Sequence, residues 1–290
     1  MQSGQRTVWV VSSDGTRLAV DTYGERQRPA IVLLHGFPES RLAWRPLAER
    51  LADTYYVVVP DGRGINESEV PQDMAAYAIH QLVADVCAVI DDCVGAQPVL
   101  LVGHDWGGVV AWSVASVAPQ YVSHLLVVSG PHPEILRQVL ATDADQRRAS
   151  AYIERLCHPD APAVLLANAC ARLHALFPDG MLSVAQRQAY AAAWERPGCM
   201  AAALAWYRAA TFAHVGGGCD VPLPPVSLPM TLVWGMQDGA LLPVLAEAHL
   251  AQMPGLTLLL QPDAGHWWIH THREALEAGI RAIIPASLLD

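Results

Sequence analysis

The chain has 290 residues, of which 52% are hydrophobic and only 16% charged, with a formal net charge of −10. This is enough apolar material for a large core and excludes a disordered chain, while the acidity and the lack of any basic stripe exclude a nucleic-acid partner. All 18 basic residues are arginine, so Schiff-base and lysine-base chemistry are excluded as well.

In chain order, Met1–Val20 lacks a charged leader followed by an apolar run, so no signal peptide is visible and a cytoplasmic location is expected. Thr7–Val11 and Arg17–Thr22 are β-rich and flank a Ser-Asp-Gly turn, the pattern of a hairpin. Ala30–Leu34 is a short apolar run, expected of a strand buried on both faces, and it ends in His35-Gly36-Phe37-Pro38. Arg41–Asp53 predicts a helix with Trp44, Leu47, Ala48 and Leu51 on one face, and Tyr55–Val59 the next buried strand. Tyr77–Val94 predicts a helix, Pro98–Gly103 a strand, Trp106–Ala118 a helix and Leu125–Ser129 a strand. The apolar run Val109–Ala118 falls far short of the roughly 18 residues a membrane span needs.

This alternation implies a parallel sheet with helices on both faces. It stops between Pro133 and Pro225, where Ala-rich helical segments appear instead, among them Pro162–Leu176, Val184–Trp194 and Met200–Ala210. A Gly/Pro-rich stretch, Gly216–Pro229, closes the interruption. The alternation then resumes with strand Met230–Trp234, helix Leu241–Met253, strand Leu256–Leu260 and helix Arg273–Ile284. The cysteines Cys87, Cys93, Cys157, Cys170, Cys199 and Cys219 form no C-x-x-C pair, and are expected to be reduced and mostly buried.

One segment carries most of the chemical information. Val99-Leu-Leu-Val-Gly103-His104-Asp105-Trp106-Gly107-Gly108 has the form small-x-nucleophile-x-small between a strand and a helix. Gly suits Gly103 and Gly107 because a sharp turn leaves no room for larger side chains. The turn puts residue 105 at a helix N-terminus, where N–H groups face developing negative charge. An Asp there also serves elsewhere as a plain helix cap.

In its motifs the chain resembles the epoxide hydrolase branch of the α/β-hydrolase family, a carboxylate-nucleophile group that also holds haloalkane and fluoroacetate dehalogenases. The resemblance rests on His35-Gly36-Phe37-Pro38-Glu39-Ser40, Asp61-Gly62-Arg63-Gly64 with Ser68, the segment around Asp105, Pro131-His132-Pro133, Trp206-Tyr207-Arg208, Trp234-Gly235-x-x-Asp238 and Gly265-His266-Trp267. It implies an α/β-hydrolase fold, a mostly parallel sheet flanked by helices, with a helical cap inserted after the sixth strand. The core is expected over 1–132 and 228–290, and the cap over 133–227.

A carboxylate attacking an acyl carbon would gain little, since it would form an anhydride. It instead displaces a leaving group from an sp3 carbon, giving an alkyl-enzyme ester. Asp105 needs no base for this, so His266 is left to activate the water that hydrolyses the ester. Asp238 is expected to orient His266, with the less favoured Glu134 as the alternative acid. The resemblance assigns the oxyanion hole to the backbone N–H groups of Phe37 and Trp106, and the Phe37-Pro38 peptide is read as cis. It assigns proton donation to the leaving alkoxide to two cap tyrosines, Tyr207 and Tyr152.

His132 and Tyr190 are read as structural; Leu165, Phe177 and Phe212 either line the pocket or hold cap helices together, the second being the favoured reading. The expected partners are a small-molecule epoxide and water, with no nucleic acid, no membrane, no metal and no organic cofactor. Nothing in the sequence separates a monomer from a homodimer. Two other readings stay open. One is a haloalkane or haloacetate dehalogenase, against which stand Phe37 where haloalkane dehalogenases usually carry Asn, and Trp106 where fluoroacetate-type enzymes carry Arg, although haloalkane dehalogenases also carry Trp there, so Trp106 does not discriminate against them. The other is a non-catalytic binder on the same fold.

Overall fold

The computed structural model describes residues 4–95, 97–210 and 223–284. Phe212, Cys219 and part of the Gly216–Pro229 stretch lie outside the described residues.

Eight strands form one sheet: β1 (Arg6–Val11), β2 (Arg17–Tyr23), β3 (Ala30–Leu34), β4 (Tyr56–Pro60), β5 (Val99–His104), β6 (Val122–Val128), β7 (Met230–Gly235) and β8 (Leu256–Gln261). Their spatial order is β1-β2-β4-β3-β5-β6-β7-β8. The β1–β2 hairpin is antiparallel and joins β4 antiparallel; every later pairing is parallel.

Strands β3, β4 and β5 are buried at every position, because their apolar residues feed two separate cores. Successive side chains of a strand point to opposite faces. Ile31 and Leu33 therefore pack with Leu47 and Leu51 of α1 (Arg45–Leu51) and with Leu276 and Ile280 of α12 (Arg273–Ile283). Val32 and Leu34 pack on the other face with Val86 and Ile90 of α2 (Ile79–Cys93) and Val110 of α3 (Trp106–Val117).

The helix expected over Arg41–Asp53 is split. A 3-10 turn, Arg41–Ala43, capped by the Ser40 side chain, precedes α1. Pro46 explains where α1 starts: without an N–H, proline fits only the first turn of a helix.

Between β6 and β7 the chain leaves the sheet and forms α4 (Pro133–Thr142), α5 (Ala144–Ala149), α6 (Tyr152–Cys157), α7 (Ala161–His174), α8 (Val184–Trp194) and α9 (Cys199–Ala209). The segment α7 is interrupted at Ala167, which is extended, and at Asn168, Ala169 and Cys170, which adopt left-handed backbone angles. After β7 come α10 (Pro243–Gln252), β8, the short α11 (Trp268–Thr271) and α12. Cys87, Cys93, Cys157, Cys170 and Cys199 are free thiols. Among the described residues no helix is long and apolar enough to cross a membrane.

Candidate active site

Strand β5 ends at His104 and α3 begins at Trp106, which leaves Asp105 alone at the turn, with φ 52° and ψ −119°. A non-glycine residue in that region stores strain on the order of 1–3 kcal/mol, and its surroundings must hold it there. They do so by close approach. A Cβ on Gly103 would sit 2.3 Å from the Gly107 carbonyl oxygen, and one on Gly107 would sit 2.2 Å from that of Leu34. The Phe37 N–H donates to Asp105 Oδ1 at 2.8 Å. A Cβ on Gly36 would strike the same carboxylate at 2.5 Å. The Phe37-Pro38 peptide is cis, in agreement with the sequence reading.

The loops that follow β7 and β8 bring Asp238 and His266 to this turn. His266 Nδ1 lies 2.8 Å from Asp238 Oδ2, and His266 Nε2 lies 3.7 Å from Asp105 Oδ2. The other oxygen of Asp238 accepts the N–H groups of Ala240 and Leu241, each at 2.9 Å. Burial opposes ionisation of Asp238, but the His266 charge and these hydrogen bonds outweigh it and hold the carboxyl below its usual range. Burial likewise opposes a cationic His266; the carboxylates of Asp238, Asp105 and Glu39 outweigh it and push the imidazole up to about 9. At neutral pH His266 is thus a cation between two carboxylates. Glu134 takes no part, since its carboxylate pairs with Arg137 on α4 at 2.8 Å.

The helices of the insertion supply the rest of the cavity's wall. Tyr152, at the start of α6, and Tyr207, in α9, line the same cavity of about 690 Å3 as Asp105, Asp238 and His266. Each residue of Trp206-Tyr207-Arg208 does something different. Trp206 donates its indole N–H to the Arg63 carbonyl of the core at 3.2 Å. Arg208 donates to the Cys157 and His158 carbonyls at the end of α6, at 3.2 and 2.9 Å. Between them Tyr207 enters the cavity, its ring edge-on to Phe37 and Trp106. Tyr207 and Trp106 share a side-chain hydrogen bond. An indole N–H only donates, so the Tyr207 oxygen accepts it and keeps its own proton available. Burial, together with the Asp105 charge, pushes both phenols above the ordinary tyrosine value and keeps them protonated.

The cap residues divide between their readings. Leu165 lines the cavity, the less favoured of its two. Phe177 does hold elements together: it is buried and stacks on Trp267 at 4.3 Å between ring centres. Tyr190 does more than pack, because its hydroxyl donates to Glu39 Oε1 at 2.9 Å.

In the sequence Glu39 stands out only as part of the His35–Ser40 motif. Its side chain is fully buried, with His270 Nε2 2.6 Å from Oε1 and His104 Nδ1 3.5 Å from Oε2. Burial opposes its ionisation, but the His270 charge and the hydrogen bond from His270 keep the carboxyl far below its ordinary range. His104 in turn bonds the His266 carbonyl through Nε2 at 2.9 Å. The only available signal for this residue was an acidic side chain inside an otherwise apolar and small-residue motif.

Comparison with known proteins places the chain among α/β hydrolases. A family model described as alpha/beta hydrolase fold matches residues 29–155. The AB hydrolase superfamily protein YfhM of Bacillus subtilis (strain 168) is 34% identical over 271 residues, covering 90% of this chain and 91% of that protein. Epoxide hydrolase 4 of Mus musculus is 26% identical over 89% of this chain and 73% of its own length. Among solved structures, a mutant epoxide hydrolase from Bacillus megaterium, complexed with its diol product, is similar with a TM-score of 0.88. The identity is 26%, over 96% of this chain and 99% of that one.

Proposed function

The chain belongs to the α/β-hydrolase superfamily, and from that membership we propose that it is an epoxide hydrolase, converting an epoxide to a vicinal diol through a covalent ester on Asp105. The helices between β6 and β7 act as a cap over residues 133–227, and the core runs over 1–132 and 228–290.

One observation carries the reading. A carboxylate, a histidine–carboxylate pair and two protonated phenols all line one cavity. Asp105 Oδ2, the oxygen not engaged by Phe37, attacks an epoxide carbon. The C–O bond breaks, and the alkoxide takes a proton from Tyr207 or Tyr152. A phenol matches this task because its pKa lies between those of a carboxylic acid and an alkoxide. The resulting tyrosinate recovers its proton from the His266 cation. Esterification has removed the Asp105 charge, one of the charges that raised the imidazole pKa. His266 is then neutral and takes a proton from water.

The hydroxide adds to the Asp105 carbonyl carbon. Negative charge develops on Oδ1, opposite the Phe37 N–H, and the Trp106 N–H serves as the second donor. Each such donor is worth about 10² to 10³ in rate. Collapse expels the diol oxygen, which leaves protonated, and restores the Asp105 carboxylate beside a cationic His266. Asp238 orients the imidazole and balances its charge at 2.8 Å. The buried Glu39 adds a fixed negative potential behind it.

The relatives named as epoxide hydrolases support this substrate class. Against a dehalogenase stand Phe37 and the Trp106–Tyr207 hydrogen bond, which occupies a donor that a halide ion would use. The test is turnover on a panel of epoxides, haloalkanes and haloacetates. Diol release from epoxides without halide release is expected. Halide release with epoxides untouched would overturn the assignment, and no turnover on any member would favour a binder.

A further inference from the structure

The loop that carries the Phe37 donor is gripped by the insertion. Gly36–Glu39 is a single turn, closed by Glu39 N–H donating to the Gly36 carbonyl at 2.9 Å. The core pins both ends. At one end His35 bonds the Gly62 N–H at 3.1 Å; at the other the Arg41 N–H donates to Asp61 at 2.8 Å. The middle of the turn is bound by α8. Trp194 donates its indole N–H to the Pro38 carbonyl at 2.5 Å, and Tyr190 donates its hydroxyl to Glu39 at 2.9 Å. Residues four apart lie on one face of a helix, so α8 presents both donors together. Both residues are buried, and both pack on Phe177.

We infer that Trp194 and Tyr190 are positioning residues for the hydrolytic half-reaction: by seating the Pro38-Glu39 peptide they aim the Phe37 N–H at the oxygen of Asp105 that becomes the oxyanion. This rests on the proposed covalent mechanism. The two half-reactions need that N–H to different degrees. During alkylation Asp105 loses negative charge, so the hydrogen bond is stronger in the ground state than in the transition state. During hydrolysis charge accumulates on Oδ1, so the bond strengthens toward the transition state and only there accelerates the reaction. A loop released from α8 therefore slows hydrolysis and leaves alkylation nearly untouched.

The experiment compares the full-length wild type with Trp194→Phe and Tyr190→Phe, each of which keeps a ring and removes one donor. A single epoxide substrate is used, with intact-protein mass measured after acid quench. The wild type's own turnover and His266→Gln serve as references. Trp194→Phe should lower kcat about ten- to a hundredfold, on the order of partial loss of one oxyanion donor. KM should fall in parallel, so that kcat/KM changes less than about threefold while the alkyl-enzyme fraction rises. Tyr190→Phe should do the same to a smaller degree, and carries the test if Trp194→Phe does not fold. Equal loss in kcat and kcat/KM, or no change in either, would overturn the inference while leaving the mechanism standing. Absence of any adduct in His266→Gln would instead remove the covalent mechanism, and the inference with it.

Discussion

The two walls of the cavity are built on different principles. The core wall carries charge. Asp105, His266 and Asp238 sit on the loops after β5, β8 and β7, held by close backbone contacts and by N–H groups aimed at the carboxylates. The wall formed by α6 and α9 supplies neutral proton donors. It offers two phenols that burial and the facing Asp105 keep protonated. The difference separates the chemistry into a half that makes and breaks the ester and a half that supplies the leaving oxygen with a proton. It also means that the first half constrains the reaction type and the second constrains the substrate.

The largest effects should come from the core wall. Asp105→Asn should reduce epoxide turnover by at least about 10⁴-fold, as expected when a nucleophile is removed. His266→Gln should be comparably impaired but should accumulate protein carrying the mass of one substrate, since alkylation needs no base. An Asp105→Asn variant of near-normal activity would erase the proposed division.

Next come the phenols. Tyr207→Phe should lower kcat/KM for an epoxide about 10²- to 10⁴-fold, the range for a general acid. Tyr152→Phe should show a loss as well, and the double variant a larger one than either. If both single variants and the double variant lost less than about threefold, the insertion wall would be a lid without a chemical role.

A smaller effect separates two sets of histidines. His266, surrounded by carboxylates, is pushed up to about 9. His132 and His249, at the root of the insertion and buried among the rings of Trp112 and Trp234, are pushed down to about 4 by burial. A raised folded value gives stability that is complete below the ordinary histidine value of about 6.5 and lost as pH rises toward 9. A depressed one gives stability present above about 6.5 and lost as pH falls toward 4. The Tm should therefore decline on both sides of a maximum. His266→Gln should flatten the alkaline limb and His249→Gln the acid limb, each by about 2–4 °C. Thermal unfolding across that range checks it; His249→Gln acting on the alkaline limb would contradict the assignment. Smallest of all, Leu165→Ala, at the cavity wall, should raise KM a few-fold with kcat nearly unchanged, as for uniform binding.

How much of this was legible in the sequence follows the same division. The core wall was readable because local backbone chemistry dictates it. Gly103 and Gly107 admit no Cβ, and Asp105, Asp238 and His266 each follow a recognisable strand. The insertion was readable only as helical. Its internal break at Ala167–Cys170 carries no glycine or proline to announce it. The exposure of Leu165 to the cavity depends on how α7 packs, which no local pattern encodes. Glu39 shows the limit most plainly. Its burial results from His104, His270 and Tyr190 converging from distant parts of the chain.

The central claim is that water attacks the enzyme's ester and not the epoxide. A single turnover in water enriched in oxygen-18, with enzyme in excess over an epoxide substrate, tests it directly. The mechanism predicts one labelled oxygen in the peptide that contains Asp105 and a diol free of label. Label in the diol, with an unlabelled Asp105 peptide, would mean direct hydration and would contradict the account.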